Sequence, residues 1–260
     1  MNKIYVIGIG PGEYEQMTLR AVNALKMSEC IIGYTVYIKL IEENFPGKEF
    51  LVTPMTKEAE RCRMAFEEAG KGKTVSVICS GDAGIYGMAG LMYEIGTEYP
   101  GTVLEVIPGV TAASSGAALL GAPLMHDFCI ISLSDRLTAW EKIENRLRAA
   151  VLGDFSICIY NPSSKARADY LKKACDILLE SGKDEKTVCG IAVNIGREGE
   201  GYEIMSLKEL KERPVDMFTT VFIGNSQTMR INGKMVTPRG YKSSQRPADG
   251  DQRQAVNGQW

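Results

Sequence analysis

The stretch that organises this sequence reads Val77-Ile78-Cys79-Ser80-Gly81-Asp82-Ala83-Gly84-Ile85-Tyr86-Gly87. An apolar run, typical of a buried strand, leads into a loop with three glycines, one aspartate and no lysine. Glycines directly after a strand let the backbone approach a ligand closely. The sequence lacks the pattern GxxxxGKS/T, which excludes a nucleotide-phosphate cradle of the P-loop kind. We interpret the loop as one wall of a pocket for a small, largely uncharged adenosyl ligand.

Two further glycine loops also follow apolar runs that predict strands. They are Gly8-Ile9-Gly10-Pro11-Gly12 and Pro108-Gly109-Val110-Thr111-Ala112. Because helical segments separate these strands, the strands should be parallel, and their loops should meet at the carboxyl edge of one sheet, where open α/β sheets bind ligands. In the second half, Tyr160-Asn161-Pro162 and Val193-Asn194-Ile195-Gly196-Arg197 follow strands as well. Their polar side chains could close the pocket from the other side.

Each glycine loop taken alone has other interpretations. The first suggests a dinucleotide site, but its pattern is GxGPG rather than GxGxxG, and Pro11 has no N–H to offer a pyrophosphate. The second strand ends at Gly33 without an acidic residue for a ribose hydroxyl. A tight turn between strand and helix is the structural alternative. Asp82 could bind a ligand, form an Asx-turn or cap a helix, and Thr111 could bind a ligand or cap a helix.

Strand and helix patterns alternate over the first 120 residues, which predicts a mainly parallel sheet with helices on both faces. Gly121-Ala122-Pro123-Leu124 interrupts this pattern, and we place a domain boundary there. The second half has fewer helices per strand, which predicts a mixed sheet. The expected organisation is an N-terminal α/β domain over residues 1–121, a C-terminal α/β domain over 122–241, and a disordered tail over 242–260.

Composition excludes several classes of function. The net charge is −2 and no basic run stands out, so a nucleic-acid partner is not expected. No apolar run approaches the ~18 residues of a membrane span, and the chain starts with a strand instead of a signal peptide. The seven cysteines form no CxxC pair, which favours free thiols in a reducing cytoplasm. No set of carboxylates and histidine has the spacing of a metal site.

The residues that could do chemistry are few. His126 is the only histidine, and a lone histidine is more often structural than catalytic. Ser134 has no recognisable His/Asp partners and the sequence has no GxSxG elbow, which argues against serine hydrolase chemistry. Candidates for binding a polyanionic ligand are the basic residues near strand ends, although most should be solvated surface charges: Arg136, Arg146, Lys165, Arg167, Arg197 and Arg239.

The motifs GxGPG, SGDAGIYG, IPGVTA and YNP, in this order and at these intervals, resemble those of the tetrapyrrole methylases. The resemblance covers residues 1–241. It implies transfer of a methyl group from S-adenosylmethionine to a tetrapyrrole. Ala83, where many members have proline, resembles the branch that methylates C17 of precorrin-3B or cobalt-factor III and contracts the ring in cobalamin biosynthesis, giving precorrin-4 or cobalt-precorrin-4. Methylation at C11 or C20, a dinucleotide-dependent reductase, and a non-catalytic adenosyl-binding module remain alternatives.

The resemblance also implies a fold and a set of site residues. The family has two α/β domains, holds S-adenosylmethionine in the cleft between them, and is usually homodimeric. Ring contraction needs a proton donor or acceptor, and the candidates are His126, Asp127, Ser134 and Asp135. Arg167 and Arg197 are expected to bind substrate carboxylates. The expected cofactor contacts, made mostly by backbone groups, are Pro11, Gly81, Asp82, Ile85, Thr111, Ala112, Asn161 and Gly196.

Overall fold

The computed structural model describes residues 2–164 and 167–241 of the protein. The predicted tail at 242–260 and the candidate Lys165 therefore lie outside the described residues. The first sheet has five parallel strands in the order β3-β2-β4-β1-β5, which confirms the predicted parallel α/β architecture. These strands are β1 (Asn2–Gly8), β2 (Cys30–Tyr34), β3 (Glu49–Thr53), β4 (Val75–Cys79) and β5 (Thr102–Ile107).

Helices cover both faces of this sheet, so its central strands are buried on both sides. The helices are α1 (Leu19–Met27), α2 (Thr35–Lys39), α3 (Glu58–Gly70) and α4 (Ala89–Gly96). On β4, Val77 packs with α3 and α4, while Ile78 packs with α1 and α2. Two-sided burial explains why β4 is a continuous apolar run instead of an alternating one.

Helix α4 begins at Ala89, whereas the apolar pattern after Gly84 predicts a helix that starts at Ile85. Residues 80–88 form turns because the Asp82 carboxylate accepts hydrogen bonds from the N–H groups of Gly84 and Ile85. Gly87 packs so closely on this loop that a Cβ there would lie 2.4 Å from the Ala83 carbonyl oxygen. The side chain of Asp82 thus replaces what would have been the first helical turn.

The second sheet is mixed, as predicted, with the order β10-β9-β11-β8-β7. Its strands are β7 (Phe128–Ser132), β8 (Ser156–Tyr160), β9 (Val188–Val193), β10 (Gly201–Ser206) and β11 (Thr219–Ile223). Strands β7 and β8 are parallel, and the other pairs are antiparallel. Three helices enclose a core with one face of this sheet: α6 (Trp140–Leu152), α7 (Tyr170–Glu180) and α8 (Leu207–Lys211).

The other face of the second sheet is covered by α5 (Ala112–Leu120), which the sequence assigned to the N-terminal domain. The helix fits because a Cβ at Gly116 would lie 2.9 Å from the Phe222 ring, and one at Gly190 would lie 2.5 Å from Leu120. The boundary predicted at residue 121 therefore follows a helix that packs with the second sheet. Just after α5, a small sheet that the sequence did not predict joins β6 (Gly121–Ala122), β12 (Met229–Ile231) and β13 (Lys234–Val236).

The cysteines are free thiols, as their spacing predicts. All seven cysteines lie within the described residues, six of them are buried, and none forms a disulfide. Over residues 2–164 and 167–241, no helix has both the length and the apolar character needed to cross a bilayer.

Candidate active site

The three glycine loops meet at the carboxyl edge of the first sheet, as the parallel topology predicts. Gly10 and Gly81 exchange two backbone hydrogen bonds, with N···O distances of 3.0 and 2.7 Å. The N–H of Gly109 donates to Asp82 Oδ2 at 3.0 Å. The loops after β1, β4 and β5 therefore form one hydrogen-bonded junction.

The glycines of this junction are required by contacts between the loops themselves. A Cβ at Gly109 would lie 2.1 Å from the Gly81 carbonyl oxygen, and a Cβ at Gly8 would lie 2.6 Å from the same atom. A similar contact links the two halves of the chain, since a Cβ at Gly12 would lie 2.1 Å from the carbonyl oxygen of Gly196. These distances are too short for any side chain at the three positions. The glycine content of the loops thus has a structural cause besides ligand approach.

Asp82 connects two of the loops through both of its carboxylate oxygens. Oδ1 accepts from the N–H groups of Gly84 (2.7 Å) and Ile85 (3.0 Å), and Oδ2 accepts from Gly109. The Asx-turn interpretation of Asp82 is therefore correct. The same residue lines the cavity described next, so a contact with a ligand stays a prediction.

A cavity of about 440 Å³ lies between the glycine junction and the second sheet. Its volume is within the range of small-molecule sites. Seven of the eight residues expected to contact the cofactor line it: Pro11, Gly81, Asp82, Ile85, Thr111, Ala112 and Asn161. The eighth, Gly196, is not in the lining but is flanked by Ile195 and Arg197, which are.

Arg197 lies in the cavity wall between two aromatic rings. Its guanidinium carbon is 5.9 Å from the ring centroid of Tyr37 and 5.5 Å from that of Phe218. Nη2 donates to Ser80 Oγ at 2.9 Å, and Nε donates to the Pro11 carbonyl at 3.3 Å. Burial lowers the pKa of Arg197 from its ordinary value. The side chain thus connects the loop after β9 to two loops of the first sheet and places a partly buried cation beside the cavity.

Arg167 also lines the cavity, but it already has an anionic neighbour. Its Nη1 lies 3.4 Å from Asp135 Oδ1 and donates to Ser134 Oγ at 2.7 Å. Tyr170 donates its hydroxyl to Asp135 Oδ2 at 2.6 Å, and this bond together with the Arg167 cation holds the pKa of Asp135 below its ordinary value. Asp135 is therefore an ionised residue that orients Arg167. Ser134 accepts from Arg167, so its own proton can be directed toward a ligand.

Tyr160 lines the cavity at the strand end where the sequence predicts polar side chains that close the pocket. Its hydroxyl accepts from the Ala113 N–H at 2.7 Å and shares a hydrogen bond with Thr111 Oγ1. Burial raises the pKa of Tyr160 to about 12, so the phenol is neutral at physiological pH. Thr111 therefore bonds across to β8, and its side chain does not cap α5. The sequence signal for Tyr160 was its position as the last residue of β8, directly before Asn161 and Pro162, but its bonds to Thr111 and Ala113 were not predictable.

His126 and Asp127, two of the four candidates for proton transfer, do not line this cavity, and a role for them in ring contraction stays a prediction. Both precede β7, whereas the cavity lies at the carboxyl end of that strand. A strand of this length separates its two ends by about 16 Å. His126 Nε2 lies 2.9 Å from the Pro238 carbonyl oxygen, a contact that attaches the C-terminal segment of the described chain. A structural role for His126 follows from this position.

We expect His126→Ala to keep turnover and cofactor affinity near those of the parent protein, because the side chain is outside the cavity. Ser134→Ala should lower kcat by roughly 100- to 10,000-fold while it leaves S-adenosylhomocysteine affinity unchanged, as loss of one positioned proton donor would. Steady-state kinetics and calorimetric titration of both variants test the pair. Turnover lost in His126→Ala but kept in Ser134→Ala would contradict a role for Ser134, and not for His126, in proton transfer.

The chain thus has two α/β units with a ligand-sized cavity against a junction of glycine loops, and the comparisons with known proteins identify this architecture as that of a methyltransferase. Residues 3–211 match the family model described as Tetrapyrrole (Corrin/Porphyrin) Methylases, and the chain belongs to this family. Within it, the chain is similar to the "Probable cobalt-factor III C(17)-methyltransferase" of Salmonella typhimurium, with 46% identity over 91% of this chain and 98% of that protein.

Three further comparisons extend over most of the chain. The "Cobalt-factor III methyltransferase" of Priestia megaterium is 45% identical over 93% of this chain, and the match covers 45% of that longer protein. A crystal structure of the methyltransferase CobJ is 34% identical, with a TM-score of 0.85 over 92% of this chain and all of that one. A Thermus thermophilus uroporphyrin-III C-methyl transferase complexed with S-adenosylhomocysteine is 21% identical over 85% of this chain and 92% of that one. Its TM-score of 0.66 shows likeness of fold.

Proposed function

We propose that this protein transfers the methyl group of S-adenosylmethionine to C17 of cobalt-factor III, with ring contraction to cobalt-precorrin-4 in cobalamin biosynthesis. The observation that carries the proposal is the 46% identity to the Salmonella protein along nearly the full length of both chains. Relatives with cobalt-factor III in their names are 42% to 46% identical, which favours the cobalt-bound substrate over precorrin-3B.

The cavity fits an adenosyl sulfonium cofactor. Ile85, Ala112 and the backbone of Gly81 provide neutral and apolar surface, and Asp82 adds a carboxylate that suits a cationic sulfonium. These residues, with Pro11, would hold the cofactor in our proposal. When bound, S-adenosylmethionine supplies an already activated methyl group. The main task of the protein is then to align two ligands and exclude water, which can contribute several kcal/mol to catalysis.

The second sheet provides the groups that would handle the tetrapyrrole. Arg197 and Arg167 lie at positions where they could bind acetate and propionate side chains of the substrate. Ser134 is the group we assign to proton transfer during ring contraction, because its hydroxyl lines the cavity and Arg167 fixes its orientation. Asp135 acts through Arg167 as a positioning residue.

Anaerobic incubation of the protein with S-adenosylmethionine and either cobalt-factor III or precorrin-3B tests the proposal. The cobalt-factor III mixture also contains a two-electron reductant, because a factor lies two electrons above the precorrin level of the product. We expect cobalt-factor III to gain one methyl group while S-adenosylhomocysteine forms in equal amount. A ¹³C-labelled methyl group located by NMR distinguishes C17 from C11 and C20. Tight S-adenosylhomocysteine binding without methyl transfer to any tetrapyrrole would indicate a binding module, and tight NADH binding in its place would indicate a reductase.

The proposal includes a homodimer that works in the cytoplasm. Six buried cysteines without disulfides are typical of a reducing compartment. Sedimentation equilibrium of the purified protein tests the assembly, and a mass of one chain across the concentration range of the assay would contradict it.

A further inference from the structure

Arg61 is a buried arginine in the wall of the cavity, and no part of the proposed function uses it. The residue lies on α3 and is 4% exposed, yet it belongs to the cavity lining. Arginine is rarely buried this deeply unless it is paired with an anion. The surroundings of its guanidinium therefore need an explanation.

The hydrogen-bond partners of Arg61 are all uncharged. Nε donates to Thr53 Oγ1 at 2.8 Å, Nη2 donates to the Pro54 carbonyl at 3.2 Å, and Nη1 lies 3.2 Å from the weak acceptor Met88 Sδ. Within residues 2–164 and 167–241, no carboxylate lies within salt-bridge distance of Arg61. Nη1 and Nη2 each carry a second hydrogen beyond these bonds. The guanidinium thus has donors left for a ligand.

Two other arginines, Arg63 and Arg167, differ from Arg61 because each has a carboxylate partner. Arg63, two residues along the same helix, pairs with Glu98 at the surface, and Arg167 is close to Asp135. The acidic residue nearest in sequence that also lines the cavity is Glu58, whose Oε1 accepts from the Thr56 N–H at 3.2 Å. Among the described arginines that line the cavity, Arg61 is therefore the most deeply buried, and its hydrogen-bond partners are all uncharged.

Tyr37 is close to both Arg61 and Arg197, and Arg197 is a second cavity arginine whose partners are uncharged. The positive charges of both Arg197 and Arg61 act on the Tyr37 phenol, whose pKa burial nevertheless raises. Both guanidiniums are therefore close enough to act on this half-buried ring, which also lines the cavity. Burying cations without counter-ions is costly, and an anionic ligand in the cavity would offset that cost.

We propose that Arg61 is an anchor for a ligand carboxylate. The planar guanidinium matches a carboxylate through two parallel N–H···O bonds, which a lysine cannot reproduce. Two ligands of the proposed function carry carboxylates that could bind here, and in this respect the inference rests on that function. One is an acetate or propionate group of the tetrapyrrole, and the other is the carboxylate of the amino-acid part of S-adenosylmethionine.

The variants Arg61→Gln, Arg61→Lys and Arg63→Gln test the anchor and identify the source. Calorimetry compares S-adenosylhomocysteine, which has the carboxylate, with 5′-methylthioadenosine, which lacks it. Kinetics with cobalt-factor III give KM for each substrate and kcat. Arg63→Gln is the matched control, because it removes a charge from the same helix outside the cavity, and it should behave like the parent protein. Thermal unfolding of each variant monitors the fold.

If the cofactor supplies the carboxylate, Arg61→Gln should weaken S-adenosylhomocysteine binding by roughly 10- to 100-fold and leave methylthioadenosine binding unchanged. If the tetrapyrrole supplies it, both affinities stay unchanged, and KM for cobalt-factor III rises by a similar factor with little change in kcat. Arg61→Lys should show a smaller change in whichever of the two quantities, S-adenosylhomocysteine affinity or KM for cobalt-factor III, Arg61→Gln alters. If the glutamine variant fails to fold, the lysine variant alone distinguishes the two sources.

Equal weakening of both adenosyl ligands, or no change in any of these quantities, would overturn the anchor. The calorimetric comparison needs no methyl transfer, so it can be read even if the parent protein fails to methylate cobalt-factor III. That failure would contradict the proposed function and leave the test of a cofactor carboxylate intact.

Discussion

Replacing Gly109 with alanine is expected to lower the free energy of unfolding by about 3 kcal/mol and to abolish S-adenosylhomocysteine binding. The new Cβ would lie 2.1 Å from the carbonyl oxygen of Gly81 and 2.5 Å from that of Gly8. Both are backbone atoms, so no change of rotamer can relieve the overlap. The loop after β5 has to move away from the loops after β1 and β4, and the bond from the Gly109 N–H to Asp82 breaks with it.

Gly90→Ala is the matched control for this substitution. Gly90 lies in the first turn of α4, is exposed, and would have no heavy atom within 4 Å of a new Cβ. Alanine in a helix is favoured over glycine by up to about 1 kcal/mol, so this variant should be as stable as the parent protein or more stable. Urea unfolding and calorimetry of both variants measure the contrast. A Gly109→Ala protein with unchanged stability and affinity would show that the loop junction is not rigid.

The strands and their parallel arrangement were predictable because local patterns encode them. Apolar runs identified β1, β4 and β5, and the helices between them required parallel pairing. The start of α4 was not predictable in this way, because the Asp82 side chain competes with the helix for the N–H groups of Gly84 and Ile85. The packing of α5 on the second sheet depends on contacts between Gly116 and Phe222, which lie far apart in sequence.

The candidate site was predictable where it depends on strand ends. Pro11, Gly81 and Thr111 each follow a parallel strand, so the sheet topology brings them together. Arg61 could not be found by the same reasoning, since it lies in the first turn of helix α3, away from the strand ends, and a charge on a helix usually faces solvent. His126 and Ser134 were both candidates for proton transfer, and the sequence could not show that the strand between them, β7, places them at its two opposite ends.

Replacing Asp82 with asparagine is expected to weaken S-adenosylhomocysteine binding by roughly 10- to 100-fold and to lower the free energy of unfolding by about 2 kcal/mol. The shape of the side chain hardly changes, but only one of its terminal atoms can still accept hydrogen bonds. If that oxygen keeps Gly84 and Ile85, the new NH₂ group faces the N–H of Gly109, and two donors meet. If the amide flips, the Asx-turn loses its acceptor instead. Neither orientation satisfies both loops.

Asp154→Asn is the control, because it makes the same chemical change at another carboxylate that joins two loops. These loops lie at the amino-terminal end of β8, outside the cavity lining. Asp154 precedes β8, and its carboxylate accepts from the N–H and hydroxyl of Ser226. Its φ of 51° lies in the left-handed region, which asparagine tolerates well. Calorimetry should therefore show parent-like S-adenosylhomocysteine affinity for Asp154→Asn. An equal loss of affinity in both variants would mean that Asp82 acts through general stability, whereas a loss confined to Asp82→Asn would locate the effect in the loop junction beside the cavity.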